Sequence, residues 1–244
     1  MRMILMIGIL GFAFQAGAAK RALVYQGPGA CEDGCYDAAF QVAAQAGFDP
    51  VFIRENQLDM NSTDADREAL FRDAAVWIQP GGKSRTAMAV ITSKLKSAID
   101  SFVRSGGGYV GFCAGAFSST RYVGTSRDLG FGFMPGKTIL YRNVSHGAEI
   151  IPVNWDGKTR HIYWEGGPHL SRLPEGKAQV VARYPNGQVA AAKSVFGQGR
   201  IFVTGLHPEA PEDWREYYEM QDPDGLDQDL AVEMLKWVSS SGLN

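Results

Sequence analysis

Gly108-Tyr109-Val110-Gly111-Phe112-Cys113-Ala114-Gly115-Ala116 decides how this chain is read. A short apolar run passes without a spacer into small residues around one cysteine. That is the pattern of a buried strand turning sharply into a helix, because a tight elbow tolerates little bulk beside its central residue. A helix starting at Ala114 would aim its first free amides at the sulfur and favour the thiolate.

Outward from the elbow, short apolar runs at 21–26, 51–54, 75–79 and 200–204 alternate with stretches of three- and four-residue apolar spacing. This alternation predicts strands joined by crossover helices, an α/β fold with a mostly parallel central sheet. Tyr36, Phe40, Ala43 and Gly47 mark one predicted helix face. Met88, Ile91, Leu95, Ala98, Phe102 and Val103 mark a longer helix, closed by the glycines at 106–108. Leu226, Leu230, Met234 and Val238 mark a closing helix. Between them, 137–164 is β-rich and aromatic with a turn at Asp156-Gly157, which predicts a β-rich insertion on the main sheet. A hairpin is expected around Pro185-Asn186-Gly187.

A second chemical signal is Thr204-Gly205-Leu206-His207-Pro208-Glu209, directly after the last core strand. Proline keeps its predecessor extended, so His207 and Glu209 project to the same side. Cys113, His207 and Glu209 therefore make a three-member set of nucleophile, base and orienting acceptor. In an open parallel sheet the C-terminal strand ends share one edge. Gly27-Pro28-Gly29, Pro80-Gly81-Gly82, Cys113 and His207 each follow a predicted core strand and should meet there. The amides of Gly81, Gly82 and Ala114 are candidate donors to an oxyanion at that rim.

Gly-Phe-Cys-Ala-Gly at 111–115, Pro-Gly-Gly at 80–82 and His-Pro-Glu at 207–209 resemble the class I glutamine amidotransferase-like superfamily. The resemblance implies a flavodoxin-like three-layer sandwich carrying a Cys-His-Glu triad. Within that superfamily, Val24-Tyr25-Gln26-Gly27-Pro28-Gly29 and Tyr163-Trp164-Glu165-Gly166-Gly167-Pro168 make the chain most similar to the domain at the N-terminus of some biotin-protein ligases. Two departures qualify what the resemblance implies. Phe117 stands where glutamine-using enzymes usually carry a polar residue, so glutamine is not the expected substrate; no Gly/Arg-rich adenylate-binding loop is present, so biotin ligation by this chain alone is not expected either.

The net charge of -2, with both signs scattered, provides no basic stripe for nucleic acid and points to a small molecule or peptide as partner. Arg2, the apolar stretch 3–14 and Ala16-Gly17-Ala18 read as a signal peptide over 1–19, leaving one domain over 20–244 in the periplasm or outside the cell, with no membrane span after cleavage. Three cysteines in an exported chain predict a Cys31–Cys35 disulfide and a free Cys113; two reduced thiols are the alternative. His146, His161 and His169 lack the spacing of a metal site, and no metal or cofactor is expected. Trp155, Tyr163 and Trp164 read as core aromatics, with pocket lining as the alternative. Asn61-Ser62-Thr63 and Asn143-Val144-Ser145 match glycosylation acceptors. The expected activity is cysteine-dependent hydrolysis of an amide or related acyl bond. The alternatives are a non-catalytic ligand-binding module or a thiol redox or stress protein.

Overall fold

A computed structural model describes residues 19–31, 34–142 and 147–240 of the 244. The predicted signal peptide up to Ala18, His146 and the acceptor at 143–145 lie outside the described residues. The chain opens with β1 (Arg21–Tyr25), α1 (Cys35–Gln45), β2 (Asp49–Ile53), α2 (Asp64–Phe71) and β3 (Ala74–Gln79). Two helices, α3 (Ser84–Val90) and α4 (Ser93–Arg104), lead to β4 (Gly108–Phe112) and the short α5 (Ala114–Ser119). The strands β5 (Tyr122–Val123), β6 (Ser126–Arg127), β7 (Lys137–Leu140), β8 (Glu149–Trp155), β9 (Lys158–Trp164) and β10 (Pro168–Ser171) follow. Then come β11 (Ala178–Arg183), β12 (Val189–Phe196), β13 (Gly199–Thr204), α6 (Glu212–Tyr217) and α7 (Gln228–Ser239).

The central sheet runs β2-β1-β3-β4-β13 in parallel, which is the 2-1-3-4-5 order of flavodoxin-like sheets. From β13 it continues antiparallel through β12, β11, β8 and β9, so the predicted β-rich insertion extends the main sheet. Strand alternation divides the core into two layers. Val24, Ile78, Val110 and Phe202 face α1 and α7 on one side, where Val42, Met234 and Leu235 pack. Leu23, Trp77, Tyr109 and Val203 face α4 on the other, where Leu95, Ile99 and Val103 pack. Both faces of β1, β3, β4 and β13 are covered, which is why those strands read as unbroken apolar runs, whereas the edge strand β2 is only partly buried.

Three sequence expectations shift. The long helix predicted from Met88 to Val103 is two helices. Its apolar stripe continues across the break, but Thr92 leaves the helical path, caps α4 by accepting the Leu95 N–H at 3.2 Å, and donates its own N–H to the Glu55 carbonyl. Leu226 lies before α7 and is exposed, so that stripe starts at Leu230. In α1 the buried face is centred on Ala38, Ala39, Val42 and Ala43, while Tyr36 and Phe40 flank it and pack against Phe52 of β2.

Among the described residues no helix is long and apolar enough to cross a membrane. Nor do any three His, Cys, Asp or Glu side chains among them come together as a metal site. His169 is buried with Nε2 3.2 Å from Gln188 Nε2, and half-buried His161 pairs with Asp224. Trp155 and Trp164 are core residues.

Candidate functional site

The turn from β4 into α5 places Cys113 at φ 44° and ψ −99°, a conformation that residues with a side chain rarely adopt and that stores about 1–3 kcal/mol. The surroundings hold it there. The Cys113 N–H donates to the Thr204 carbonyl of β13 at 2.9 Å, and its own carbonyl accepts from Ala116 and Phe117 at 3.0 and 3.2 Å. The glycines of the quoted stretch are required by space. A β-carbon on Gly115 would collide with the Gln79 carbonyl oxygen, and one on Gly111 would lie 2.6 Å from the Gly115 carbonyl carbon. The elbow therefore depends on backbone packing against backbone across β3, β4 and α5.

β13 delivers the second half of the site. After Thr204 the His207 N–H donates to the Tyr163 carbonyl at 2.9 Å, which turns the imidazole towards the elbow. Its Nδ1 lies 2.9 Å from Glu209 Oε1, across the extended His-Pro link, leaving Nε2 for the sulfur. These groups are buried, not exposed at a rim: His207 is 3 % accessible, Glu209 0 % and Cys113 5 %. Burial opposes the imidazolium, yet the charges of Glu209 and then of Cys113, with hydrogen bonds to both, outweigh it and hold His207 well above the ordinary histidine range. The second Glu209 oxygen, Oε2, is buried with no hydrogen-bond partner among the described residues.

The loop after β3 closes the floor. A β-carbon on Gly81 would sit 2.6 Å from His207 Cε1 and 3.0 Å from Cys35 Sγ, so only glycine passes beneath the ring. The Gly81 carbonyl accepts from Cys31, and the Lys83 N–H donates to the Gly29 carbonyl, while among the described residues the Gly81 and Gly82 N–H groups take no part in tying this loop down. Ala114 opens α5, where the first N–H groups have no partner within the helix. Cys31 and Cys35 are joined by a disulfide with a Cα–Cα separation of 5.3 Å, which staples the loop after β1 to the start of α1 beside Gly81. The structure thus brings Cys113, His207, Glu209, Gly81 and the Cys31–Cys35 bridge to one place.

Trp214 and Arg215 were not singled out from the sequence, and Tyr163 and Glu165 were named there without a role at the cysteine. Tyr163 and Trp214 pack against the imidazole nearly edge-on, with ring centroids 5.8 and 5.5 Å away. The Glu165 carbonyl accepts the Cys113 S–H at 3.6 Å. Arg215, 2 % accessible, donates to Asp222 at 2.6 Å, to Asp227 at 3.5 Å and to the Ala210 carbonyl at 3.0 Å, anchoring the loop that carries Glu209. The basic residue followed by Asp222, Asp224 and Asp227 is a visible charge pattern, but on sequence alone it reads as a solvated loop.

Residues 20–132 match the family model for the N-terminal region of biotin-protein ligase. The biotin–protein ligase of Schizosaccharomyces pombe is 26 % identical over 176 residues, covering 62 % of this chain and 28 % of that protein. The chain thus spans little more than a quarter of the curated relative it matches. Among solved structures, a glutamine amidotransferase superposes with a TM-score of 0.60 at 18 % identity, over 82 % of this chain and 96 % of that one. The PurLQS structure from Thermotoga maritima gives 0.60 at 17 % identity, over 89 % and 97 % of the two chains. The fold is that of the class I glutamine amidotransferases.

Proposed function

We propose that this class I glutamine amidotransferase fold, with its biotin-protein ligase N-terminal-like region, is a cysteine-dependent hydrolase of an amide or related acyl bond in a small molecule or peptide. The observation that carries the reading is a cysteine strained into a strand-to-helix elbow and interacting with a buried histidine whose other ring nitrogen is held by a buried carboxylate. In the proposed sequence His207 takes the Cys113 thiol proton, the sulfur attacks the carbonyl carbon, and the amides of Gly81, Gly82 and Ala114 receive the oxyanion. As the C–N bond breaks, His207 passes its proton to the leaving amine and a thioester remains on Cys113. Water then attacks the thioester while His207 takes its proton, releasing a carboxylic acid and restoring the thiol. Glu209 steadies the imidazolium in both steps.

An activated ester tests the reading without knowledge of the natural substrate. p-Nitrophenyl acetate should release a burst of one equivalent of nitrophenolate and leave an acetyl group on Cys113, seen by mass spectrometry and then lost by hydrolysis. Cys113→Ala should remove the burst. Acetylation confined to lysines would sink the hydrolase reading. It would favour a second one, a ligand-binding module without turnover, for which the 5 % accessibility of Cys113 speaks.

Export completes the proposal, motivated by the apolar 3–14 stretch and the small residues at 16–18. Protein recovered from the periplasm or medium should begin at Ala19 or Lys20 on N-terminal sequencing. Exported material that still starts at Met1 would remove the cleaved leader from the account.

A further inference from the structure

Glu165 stands out from the buried residues beside it. Tyr163, Trp164, Gly167 and His207 are buried, whereas Glu165 is exposed. Its backbone carbonyl accepts the Cys113 S–H at 3.6 Å, which places the residue directly against the reactive sulfur. Its carboxylate accepts a hydrogen bond from the Tyr163 hydroxyl at 3.2 Å, and the Tyr163 ring packs against His207. The carboxylate is therefore tied to the ring that packs against the histidine.

That carboxylate has no cationic partner among the described residues. Arg215, which acts electrostatically on Tyr163, is taken by Asp222 and Asp227, and Arg142 is taken by Glu149. Within the site itself the Glu209 charge is matched by the imidazole. Glu165 thus presents an exposed carboxylate without an ion-pair partner among the described residues, on a residue whose backbone touches the Cys113 sulfur. Half-buried Trp214 packs on both Tyr163 and His207 and adds an aromatic wall, a surface that also favours a cation.

We propose that Glu165 determines substrate class, pairing with an ammonium or guanidinium group that the substrate carries close to its scissile acyl bond and excluding acyl compounds with a carboxylate at that position. The inference rests on Cys113 being the reacting thiol. Charge is an efficient discriminator here, because a fixed carboxylate beside low-dielectric aromatic walls attracts one sign and repels the other.

Three methanethiosulfonate reagents of similar size test it on the full oxidised protein: the cationic 2-aminoethyl, the anionic 2-sulfonatoethyl and the neutral methyl compound. Each forms a mixed disulfide with Cys113 and releases methanesulfinate, so intact mass against time gives the rate. Dividing the cationic rate by the anionic one, and by the same ratio for a small neutral thiol, cancels differences in reagent chemistry and in access to the buried sulfur. The corrected ratio should be roughly tenfold in the native protein, fall close to one in Glu165→Gln and invert in Glu165→Lys. A ratio unchanged in both variants would mean that Glu165 only fixes its loop through Tyr163, and would overturn the proposal. The neutral reagent separates the two levels of the argument: its rate should drop in His207→Ala. If it does not, the activated-thiol reading fails, while the charge ratio still reports on Glu165. No modification of Cys113 by any of the three reagents would overturn both.

Discussion

His207→Ala is expected to slow alkylation of Cys113 by iodoacetamide at neutral pH about a hundredfold, the lower end of what a positioned general base contributes. The direction is informative because removing the ring also opens space above Gly81, which would speed a reaction limited only by access. Glu209→Gln should act in the same direction and less strongly, since it keeps the shape around His207 and loses the charge that favours the imidazolium. The same pair imposes a pH signature. The folded pKa of His207 lies above its unfolded value of about 6.5, so its stabilisation is fully present below that value and is lost as pH rises through the folded pKa. Denaturation midpoints compared across this range should show a pH-dependent component that is absent from His207→Ala. A native-like alkylation rate in His207→Ala, with no change in the pH profile, would reduce the three residues to a packing arrangement.

Arg215→Ala should destabilise the protein by about 3–5 kcal/mol, the usual consequence of removing one member of a buried ion pair. Arg215 satisfies Asp222, Asp227 and the Ala210 carbonyl together, and it sits six positions beyond Glu209. Its loss strands Asp222, whose only cation it is among the described residues, and leaves Asp227 to Arg160 alone. Burial already pushes Asp227 up to about 7 against the pull of Arg160 and Arg215, so proton uptake by Asp227 would hold the loss to the lower part of that range. Arg215→Lys should recover only part of it, because an ammonium cannot reproduce the guanidinium fork. Urea denaturation of the variants measures the effect. A loss below about 1 kcal/mol would show that packing of Trp214, Tyr163 and Ala210 alone holds the loop.

How much of this was legible follows from the range of the interactions. The 21–26, 75–79, 109–112 and 200–204 runs became β1, β3, β4 and β13 within a residue at either end, because burial on both faces leaves an unbroken apolar run that needs no partner to be recognised. The 88–103 stretch reads as one long helix because the contact that breaks it, the Thr92 N–H on the Glu55 carbonyl, joins segments 37 residues apart. Gly111 and Gly115 were visible as small residues around a cysteine, but the necessity of Gly115 rests on the Gln79 carbonyl from another strand, and that of Gly111 on the return of α5 over β4.

Local sequence by itself determined the core strands and helices of the α/β fold, the position of a strand-to-helix turn at Cys113 and the extended His207-Pro208-Glu209 link, since each is marked by steric limits and apolar patterning within a few residues. Tertiary structure alone decided the burial of His207 and Glu209, their approach to Cys113, the aromatic packing by Tyr163 and Trp214, the Arg215 network and the placement of Glu165 beside the sulfur. These contacts bridge strands far apart in the chain. They exist only once the sheet order β3-β4-β13 has brought those strand ends to one edge, and no local pattern records the charge or the neighbour that a side chain meets there.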